Sequence, residues 1–498
     1  MPNLNTVKSG PTTRPSEELV SSIVREVLER LKGLGGQAAQ ADGGPSKRAR
    51  EVRARRHGIF PTVDEAAKAA AEAQPRLAQL SLDQRNEIIE IIRRICEDRA
   101  RELAEMEYEE TAIGRLDHKI EKLKIIRRVL GVEALRTEAR SDSTGLAILE
   151  YAPFGVIGMV LPATHSVPTL ASNAINVLAG GNTAVFSPHP AAAKVAGYAL
   201  DLFNQEIERK TGLANLMTTV EAPSIQSAEE LFHHPDVALL CVTGGPAVVK
   251  ASMKAGKRVI AAGPGNPPVV VDETADIEKA AADVIFGAAF DNNLLCIGEK
   301  EVFVVGSVAD RFIAAMQRHG GYLLNREQIE MLTRAAFSFR EGTGKGCGRA
   351  HLKRDLIGKD ASFLAKAIGL ELPANVELLF GETGEDHPFV QEEQMMPFLP
   401  VVRAPDVDAA IEAALRAEHG YGHTAMIHSN NVANVTKMAR VMNTTLFVHN
   451  APCSASLGLG GPGFLSYSIA TPTGEGVTTP LTFTRQRQIA VVGALRIT

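Results

Sequence analysis

The spacing of apolar side chains changes several times along the chain, and each change predicts a different kind of element. In SEELVSSIVREVLERLKGL apolar residues recur every three or four positions, which predicts a short amphipathic helix over residues 16–33. Residues 1–34 are therefore predicted to form a separate N-terminal peptide, and the Gly-, Ala- and Gln-rich residues 35–48 a flexible linker. Such a helix either docks in the groove of a partner or packs back on its own domain, and the linker favours docking.

Helical and strand-like patterns follow the linker. From Thr62 to Gly131 the apolar spacing is helical, with many opposite charges one turn apart. Over residues 151–262 apolar runs of strand length alternate with helical stretches, which predicts an α/β fold with a doubly wound parallel sheet. A second α/β block is predicted from Val269 onward. GLAILEYA and the segment that begins at Gly476 predict further strands, the first of them exposed.

Composition and charge exclude several classes of protein. The 498 residues carry 53 basic and 58 acidic side chains, a net charge of −5, which gives no strong attraction to nucleic acid or anionic membranes. No Asp, Glu, Lys or Arg occurs from Tyr151 to Ala193, but prolines and asparagines interrupt this stretch, so it predicts a buried sheet layer rather than a membrane span. Five cysteines do not make a disulfide framework, which indicates a reducing, cytosolic-type setting.

The five cysteines differ in their sequence surroundings. Cys96 belongs to a helical stripe, Cys241 lies inside the apolar run VALLCV, and Cys453 lies in a Gly- and Ser-rich loop with no obvious base nearby. Cys347, in GTGKGCG, has basic neighbours that can lower the pKa of its thiol, which indicates incidental reactivity rather than catalysis. Cys296, in FDNNLLCIGEK, follows a helical pattern and has polar neighbours, as catalytic loop residues do. These features alone leave Cys296 as either a nucleophile or an ordinary buried thiol.

A glycine pair follows one of the predicted strands. In VTGGPAVVK, Gly244 and Gly245 permit a tight turn that exposes N–H groups at a helix start, which suits a pyrophosphate. The segment is not a GxGxxG fingerprint, and a Gly-Gly turn before a helix is more often only a turn.

Together these motifs resemble the aldehyde dehydrogenase superfamily over residues 60–487. PFGVIGMVLPATHSVPT is similar to its first cofactor-domain strand and the loop after it, VTGGPAVVK to its pyrophosphate turn, and FDNNLLCIGEKEVFVV to the segment that carries its nucleophile. SPHPAA, DNNLLCIGEK, GHTAMIHS and GVTTPLTFTRQR resemble the CoA-acylating branch in particular. The resemblance implies a dinucleotide-binding domain (residues 49–140 and 153–265), a catalytic thiol domain (266–465) and an arm (141–152 and 466–498) for assembly into a dimer or tetramer.

The resemblance implies that Cys296 is the nucleophile. Its thiolate would attack a small aldehyde, a hydride would pass to NAD, and the acyl group left on sulfur would be transferred. Hydrolytic members of the superfamily carry a general-base Glu where this chain has Ala262, which favours transfer to coenzyme A over hydrolysis. A hydrolytic aldehyde dehydrogenase and a semialdehyde reductase acting on a phosphorylated substrate stay open as alternatives. So does a non-catalytic assembly protein on the same fold.

The same resemblance assigns residues to the cofactor and departs from the family at one position. The implied cofactor-binding residues are Ser187, Pro188, His189, Thr243, Gly244, Gly245, Gly263 and Glu393. Family members that prefer NADP often place a Lys near the Ser187 position, and its absence here favours NAD. Glu393 matches the residue that binds the nicotinamide ribose.

The departure is His165, which stands where the family has its oxyanion-hole Asn. A neutral imidazole can donate one N–H, and dependence on its charge predicts activity sensitive to pH about 6–7. Alternatively His165 only packs, and the Cys296 backbone N–H does most of the work. His419, His423 and His428 have no completing ligands at metal spacing, which favours packing or a substrate-pocket role over metal binding.

The N-terminal peptide extends the resemblance. CoA-acylating aldehyde dehydrogenases of bacterial microcompartments carry a short amphipathic helix before a Gly/Ala-rich linker, as this chain does. The resemblance implies that residues 16–33 bind shell proteins and direct the chain into a microcompartment of the bacterial cytoplasm. The substrate would then be a small volatile aldehyde, propionaldehyde or acetaldehyde.

Overall fold

The computed structural model describes residues 56–339, 350–373 and 375–495. The predicted docking helix at residues 16–33, its linker and Cys347 lie outside these ranges. Within them, no helix has the length and apolarity needed to cross a bilayer.

The helices form where the apolar spacing predicts them, and side chains cap many of their first turns. Before the second helix, Ser81 Oγ accepts the Gln84 N–H at 3.2 Å while Gln84 Oε1 accepts the Ser81 N–H at 3.0 Å. In chain order the described helices are α1 (Val63–Ala78), α2 (Leu82–Asp98), α3 (Ala100–Thr111), α4 (Leu116–Lys124), α5 (Ser166–Ala179), α6 (Ala193–Thr211), α7 (Ile225–His233), α8 (Pro246–Ser252), α9 (Ile277–Ala289), α10 (Gly306–Arg318), α11 (Arg326–Ala336), α12 (Ala361–Ala367), α13 (Pro388–Gln391), α14 (Val407–Ala417) and α15 (Val432–Met442).

The strands build two parallel sheets, one antiparallel sheet and two short hairpins. In chain order the described strands are β1 (Ile59–Phe60), β2 (Glu138–Asp142), β3 (Gly145–Pro153), β4 (Val156–Leu161), β5 (Thr183–Pro188), β6 (Met217–Val220), β7 (Val237–Thr243), β8 (Arg258–Ala262), β9 (Pro268–Val271), β10 (Glu301–Val305), β11 (Gly321–Leu323), β12 (Phe337–Phe339), β13 (Ala350–Leu352), β14 (Leu378–Glu382), β15 (Phe398–Ala404), β16 (Thr424–His428), β17 (Leu446–His449), β18 (Ile469–Ala470), β19 (Gly476–Val477) and β20 (Thr484–Val492).

The first parallel sheet has the strand order β1-β6-β5-β4-β7-β8 and helices on both faces. Along β4, Ile157 and Met159 join an apolar cluster with α2, α5 and α6, whereas Val156 and Val160 join another with α1 and α7. Because both faces are covered, its strands are mostly apolar, with a few buried Thr and Ser side chains such as Thr218 and Ser187. The predicted doubly wound α/β fold is confirmed. The sheet also contains a strand that lies earlier in the chain than the predicted strands, because the two residues of β1 pair with β6.

The second parallel sheet has the order β11-β14-β15-β10-β9-β16-β17. It begins at Pro268, close to the predicted start of the second α/β block. Val269 and Val271 pack in a cluster with α9 and α10, and Val270 packs in a separate cluster with α14 and α15. Strand β10 lies in the middle of this sheet. Cys296 lies in the connection between α9 and β10.

The antiparallel sheet joins distant parts of the chain. β3 pairs with β2 on one side and with β20 on the other, from Gly145 opposite Val492 to Pro153 opposite Thr484. Apolar side chains on it are open to solvent, since Ile489 is 49% exposed and Val492 81%. An exposed apolar face on such a ribbon suits an interface between copies, so the oligomerisation arm stays a prediction.

Candidate active site

The candidate nucleophile follows a strained turn. Asp291, Asn292 and Asn293 have φ values of 49°, 55° and 62°, all in the left-handed region. Asn and Asp tolerate this region better than other side chains, but three in succession must be held by their surroundings. Cys296 comes three residues later and is half-buried.

Two buried lysines bond to the left-handed turn, one to Asp291 and the other to Asn293. Lys122, from α4, forms an ion pair with the Asp291 carboxylate. Lys300, just before β10, donates from Nζ to the Asn293 backbone oxygen at 2.7 Å and also to Asn293 Oδ1. Both lysine side chains are fully buried, so these bonds do not compete with water.

The surroundings of Cys296 favour its protonated thiol over the thiolate. Burial, aided by the charge of Glu393, raises the pKa of the Cys296 thiol to about 12, while Lys300 acts in the opposite direction. The thiolate is the reactive form, so the reactivity of Cys296 increases with pH and with positive charge close to sulfur.

The other described cysteines are buried. Burial raises the thiol pKa of Cys96, and that of Cys241 to about 12, as expected for packed side chains. The prediction that Cys453 has no base nearby is wrong. Its backbone N–H donates to Glu299 Oε1 at 2.9 Å, and burial raises the pKa of the Glu299 carboxyl to about 7.

Except for Glu393, the predicted cofactor residues lie at the carboxyl ends of β5, β7 and β8 in the first sheet. Pro188 ends β5 and Thr243 ends β7, and both strands flank β4. From β4 the chain builds β5 and β6 on one side and later β7 and β8 on the other, so a topological switch point lies between β4 and β7. Open α/β sheets bind their ligands at such a point, outside the carboxyl ends of the strands.

The residues at this edge differ in exposure, and the backbone is open at Gly245. Ser187 is buried and His189 is exposed. A side chain built on Gly245 would meet no atom within 4 Å, so a ligand can approach the backbone there. Thr243 Oγ1 lies 2.7 Å from Ser468 Oγ. Gly263, just after β8, packs against Pro472.

His165 lies in the loop between β4 and α5, above two buried ammonium groups. Lys119 and Lys122 donate from Nζ to the Thr164 carbonyl at 3.4 Å and 3.3 Å. Burial and these two charges lower the pKa of His165 well below its usual value. A pKa this low favours a neutral imidazole at about pH 6–7, where it can donate one N–H, which argues against the expected pH sensitivity from His165 in that range.

We expect His165→Asn to keep the wild-type dependence of kcat/KM on pH between about 6 and 8. His165 does not titrate in that range, so an amide donor replaces it without removing a pH-dependent step. His165→Ala, the matched variant without a donor, should lose about 10²–10³ in kcat with the same pH profile. A wild-type profile that rises through this range and becomes flat only in His165→Asn would refute a neutral imidazole.

Carboxylates near the nucleophile decide whether water can be activated. At the position where the resemblance places a general base in hydrolytic enzymes, Ala262 is buried at the end of β8. The charge of another carboxylate, Glu393, helps to raise the pKa of the Cys296 thiol. Burial raises the pKa of Glu393, while Lys300 and the Gly265 backbone N–H lower it. Glu393 is thus compatible both with the implied ribose contact and with a role toward water.

Of the three histidines in EHGYGHTAMIHS, His423 approaches the nucleophile. A side chain on Gly265 would meet the Cys296 carbonyl oxygen at 2.6 Å and His423 Cγ at 2.9 Å, so only a glycine separates them. Burial and Lys300 lower the pKa of His423 to about 4. His419 contacts the Gln391 carbonyl at 2.8 Å. In the described part of the chain no three His, Cys, Asp or Glu side chains are placed to hold a metal ion.

A small, mostly apolar cavity is lined by both chain neighbours of Cys296. Its volume is about 20 Å³, and its walls include Phe286, Phe290, Leu295, Ile297, Leu457 and Leu459. Leu295 and Ile297 are the chain neighbours of Cys296. Tyr467, also in the wall, has its ring centroid 5.6 Å from that of His165. One water needs about 10–15 Å³, so the cavity accepts an apolar group of one or two heavy atoms.

Sequence reasoning missed the buried charges around the site. These are Glu107, Lys119, Lys122, Asp291, Glu299 and Lys300. Glu107 links α4 to the first turn of α5, which follows His165, since its Oε1 accepts from Lys119 at 2.9 Å and its Oε2 from the Val167 N–H at 2.9 Å. In the sequence, two lysines three positions apart on DHKIEKLK indicate a solvated helix face. Only the fold places that face under the loop.

Comparison with known proteins shows which family the chain resembles. A family model described as "Aldehyde dehydrogenase family" matches residues 54–321. The chain is 45% identical to the acetylating acetaldehyde dehydrogenase EutE of Salmonella typhimurium over 442 residues, 88% of this chain and 93% of that protein.

Two solved structures are similar over most of their length. A propionaldehyde dehydrogenase from the fucose utilisation bacterial microcompartment of Clostridium phytofermentans has a TM-score of 0.85 and 42% identity, covering 89% of this chain and 100% of that one. A Rhodopseudomonas palustris propionaldehyde dehydrogenase, solved with bound CoA and an acylated cysteine, has a TM-score of 0.84 and 41% identity, covering 87% of this chain and 98% of that one.

Proposed function

Since this chain belongs to the aldehyde dehydrogenase family, we propose that it is a CoA-acylating aldehyde dehydrogenase that oxidises a small aldehyde to its acyl-CoA, with NAD as hydride acceptor. The observation that carries this proposal is the position of Cys296. Cys296 is half-buried, both of its chain neighbours line a small apolar cavity, and Ala262 stands at the position where the resemblance places the base of hydrolytic enzymes.

The first step is attack of the Cys296 sulfur on the aldehyde carbonyl. The thiol gives its proton to solvent, the sulfur lone pair forms the C–S bond, and the π electrons of the carbonyl move to oxygen, which becomes an oxyanion. Fixed N–H donors must stabilise that charge, and each is worth about 10²–10³ in kcat. We assign this role to the Cys296 backbone N–H and to the neutral His165 imidazole.

The cofactor residues follow from the resemblance and from their common position at the sheet edge. NAD, when bound, accepts the hydride that leaves the carbon attached to Cys296, so that a thioester remains on sulfur. We assign the adenosine end to Ser187, Pro188 and His189. The pyrophosphate is assigned to the segment from Thr243 to Gly245 with Gly263 nearby. Glu393 is assigned to the nicotinamide ribose.

The second half-reaction transfers the acyl group to coenzyme A. The CoA thiol attacks the thioester carbonyl, its C–S bond forms, and the bond to Cys296 breaks, which returns the enzyme sulfur for protonation. A thiol displaces a thioester without the strong base that water needs, so the absence of a carboxylate at Ala262 favours CoA. Hydrolysis is the second candidate. The observation that favours it is Glu393, a carboxylate whose charge raises the pKa of the Cys296 thiol and which could therefore also meet a water there.

The substrate we propose is propionaldehyde or acetaldehyde. The cavity lined by Leu295 and Ile297 holds about one or two heavy atoms, which matches the methyl or ethyl group of these aldehydes. We expect kcat/KM to be highest for two- and three-carbon aldehydes and to fall at least about tenfold for the five-carbon aldehyde. A spectrophotometric panel with NAD and CoA measures this. Leu457→Ala, which enlarges the cavity, should raise the five-carbon rate. Equal kcat/KM values across the wild-type panel would refute the size limit.

The setting we propose is a microcompartment in the bacterial cytoplasm, with residues 16–33 bound to shell proteins. Copies of the chain would assemble into a dimer or tetramer through β3 and β20. Removal of residues 1–40 tests the docking role. Turnover should persist while co-purification with shells is lost, whereas loss of turnover would assign the helix to the fold.

A further inference from the structure

Lys300 is a buried cation whose bonds go to neutral groups. Its Nζ donates to both oxygens of Asn293, and among the described residues no carboxylate lies at ion-pairing distance from it. Lys122, the other lysine that holds the turn, is paired directly with Asp291. A buried ammonium without a paired anion is unfavourable, and a negative charge that forms close to it would stabilise it.

The groups around Lys300 identify that charge. Burial lowers the pKa of the Lys300 ammonium, and four acidic groups oppose this: Glu393 from the segment between α13 and β15, Cys296 from the loop before Lys300, Glu301 from β10 and Cys453 from the loop after β17. His423 lies across Gly265 from Cys296 and senses Lys300 in turn. Glu301 and Glu393 are carboxyl groups whose pKa is raised by burial. The Cys296 sulfur is the group among these whose charge must appear during the proposed reaction.

We propose that Lys300 is a positioning residue for Cys296: it fixes the left-handed turn through Asn293 and supplies the positive charge that favours the Cys296 thiolate. When the thiol loses its proton, a negative charge forms on sulfur four residues before an ammonium group that Asn293 already holds in place. The field therefore needs no rearrangement at the moment of attack. The inference rests on the proposed function only for the identity of the nucleophile.

The test is the rate of Cys296 alkylation without aldehyde, NAD or CoA, followed on the Cys296 peptide by mass spectrometry. Iodoacetamide is neutral and iodoacetate is an anion of similar size. The ratio of their two rates therefore reports the local charge, independently of thiolate fraction and access. Lys300→Met and Lys300→Gln should slow iodoacetamide about tenfold at a given pH, equivalent to about one pH unit. They should also lower the iodoacetate-to-iodoacetamide ratio severalfold, and Lys300→Arg should keep that ratio.

Several results would overturn the proposal. A merely structural role for Lys300 would slow both reagents equally and leave the ratio unchanged in all three variants. Failure of both neutral variants to fold would assign Lys300 to folding rather than to the nucleophile; Lys300→Gln keeps a donor for Asn293 and makes that outcome informative. The alkylation result is independent of the acyl acceptor, so it stands even if the product of turnover is not acyl-CoA.

Discussion

Cys296→Ala is expected to abolish NADH formation, with a loss of about 10⁴-fold or more in kcat. Without the sulfur no adduct forms with the aldehyde, so no carbon is set up to release a hydride. The remaining donors at the site bind the carbonyl but cannot replace the bond. NADH absorbance, measured with propionaldehyde, NAD and CoA, gives the rate directly.

The matched control is Cys347→Ala, which removes the other thiol that its sequence neighbours make reactive. This variant should keep the wild-type rate. If Cys296→Ala retained more than a small fraction of activity, or if Cys347→Ala lost it, the nucleophile would have to be reassigned.

Asp291→Asn is expected to lower the free energy of unfolding by about 3–5 kcal/mol, the usual effect of leaving one member of a buried ion pair alone. Lys122 would remain buried without its partner. Asn still accepts the left-handed conformation that Asp291 adopts, so the change isolates the charge. Chemical denaturation followed by circular dichroism measures the loss, and turnover should fall with it because the turn positions Cys296.

The double variant Lys122→Met with Asp291→Asn separates charge from packing. It removes the unpaired cation and should regain most of the lost stability. A double variant less stable than Asp291→Asn alone would mean that Lys122 stabilises the fold through its other contact, the Thr164 carbonyl, rather than through Asp291.

Most of the fold could be predicted because the parallel sheets are covered on both faces. Strands such as β4 and β7 are then uniformly apolar and easy to separate from the amphipathic helices between them. The two residues of β1 could not be predicted, because so short a strand has no pattern and exists only through its pairing with β6.

The candidate site was predictable where local sequence carries the signal. Cys296 stands out by its polar, Asn-rich neighbours, and the Gly244–Gly245 turn by its glycines. Long-range contacts carry the rest. Lys122 reaches the Thr164 carbonyl from 42 positions earlier and helps to keep His165 neutral, and Glu299 meets Cys453 across 154 positions. No local pattern contains these pairs, so neither the pKa of His165 nor the carboxyl near Cys453 could be foreseen.

The acceptor of the acyl group is tested most directly by product analysis, with propionaldehyde and NAD supplied in the presence and absence of CoA. With CoA we predict propionyl-CoA and NADH in equal amounts. Without CoA we predict at most one NADH per Cys296 and then no further turnover. Continued release of propionate without CoA would contradict transfer to a thiol and, if Glu393→Gln stopped that release, would make Glu393 the base that activates water.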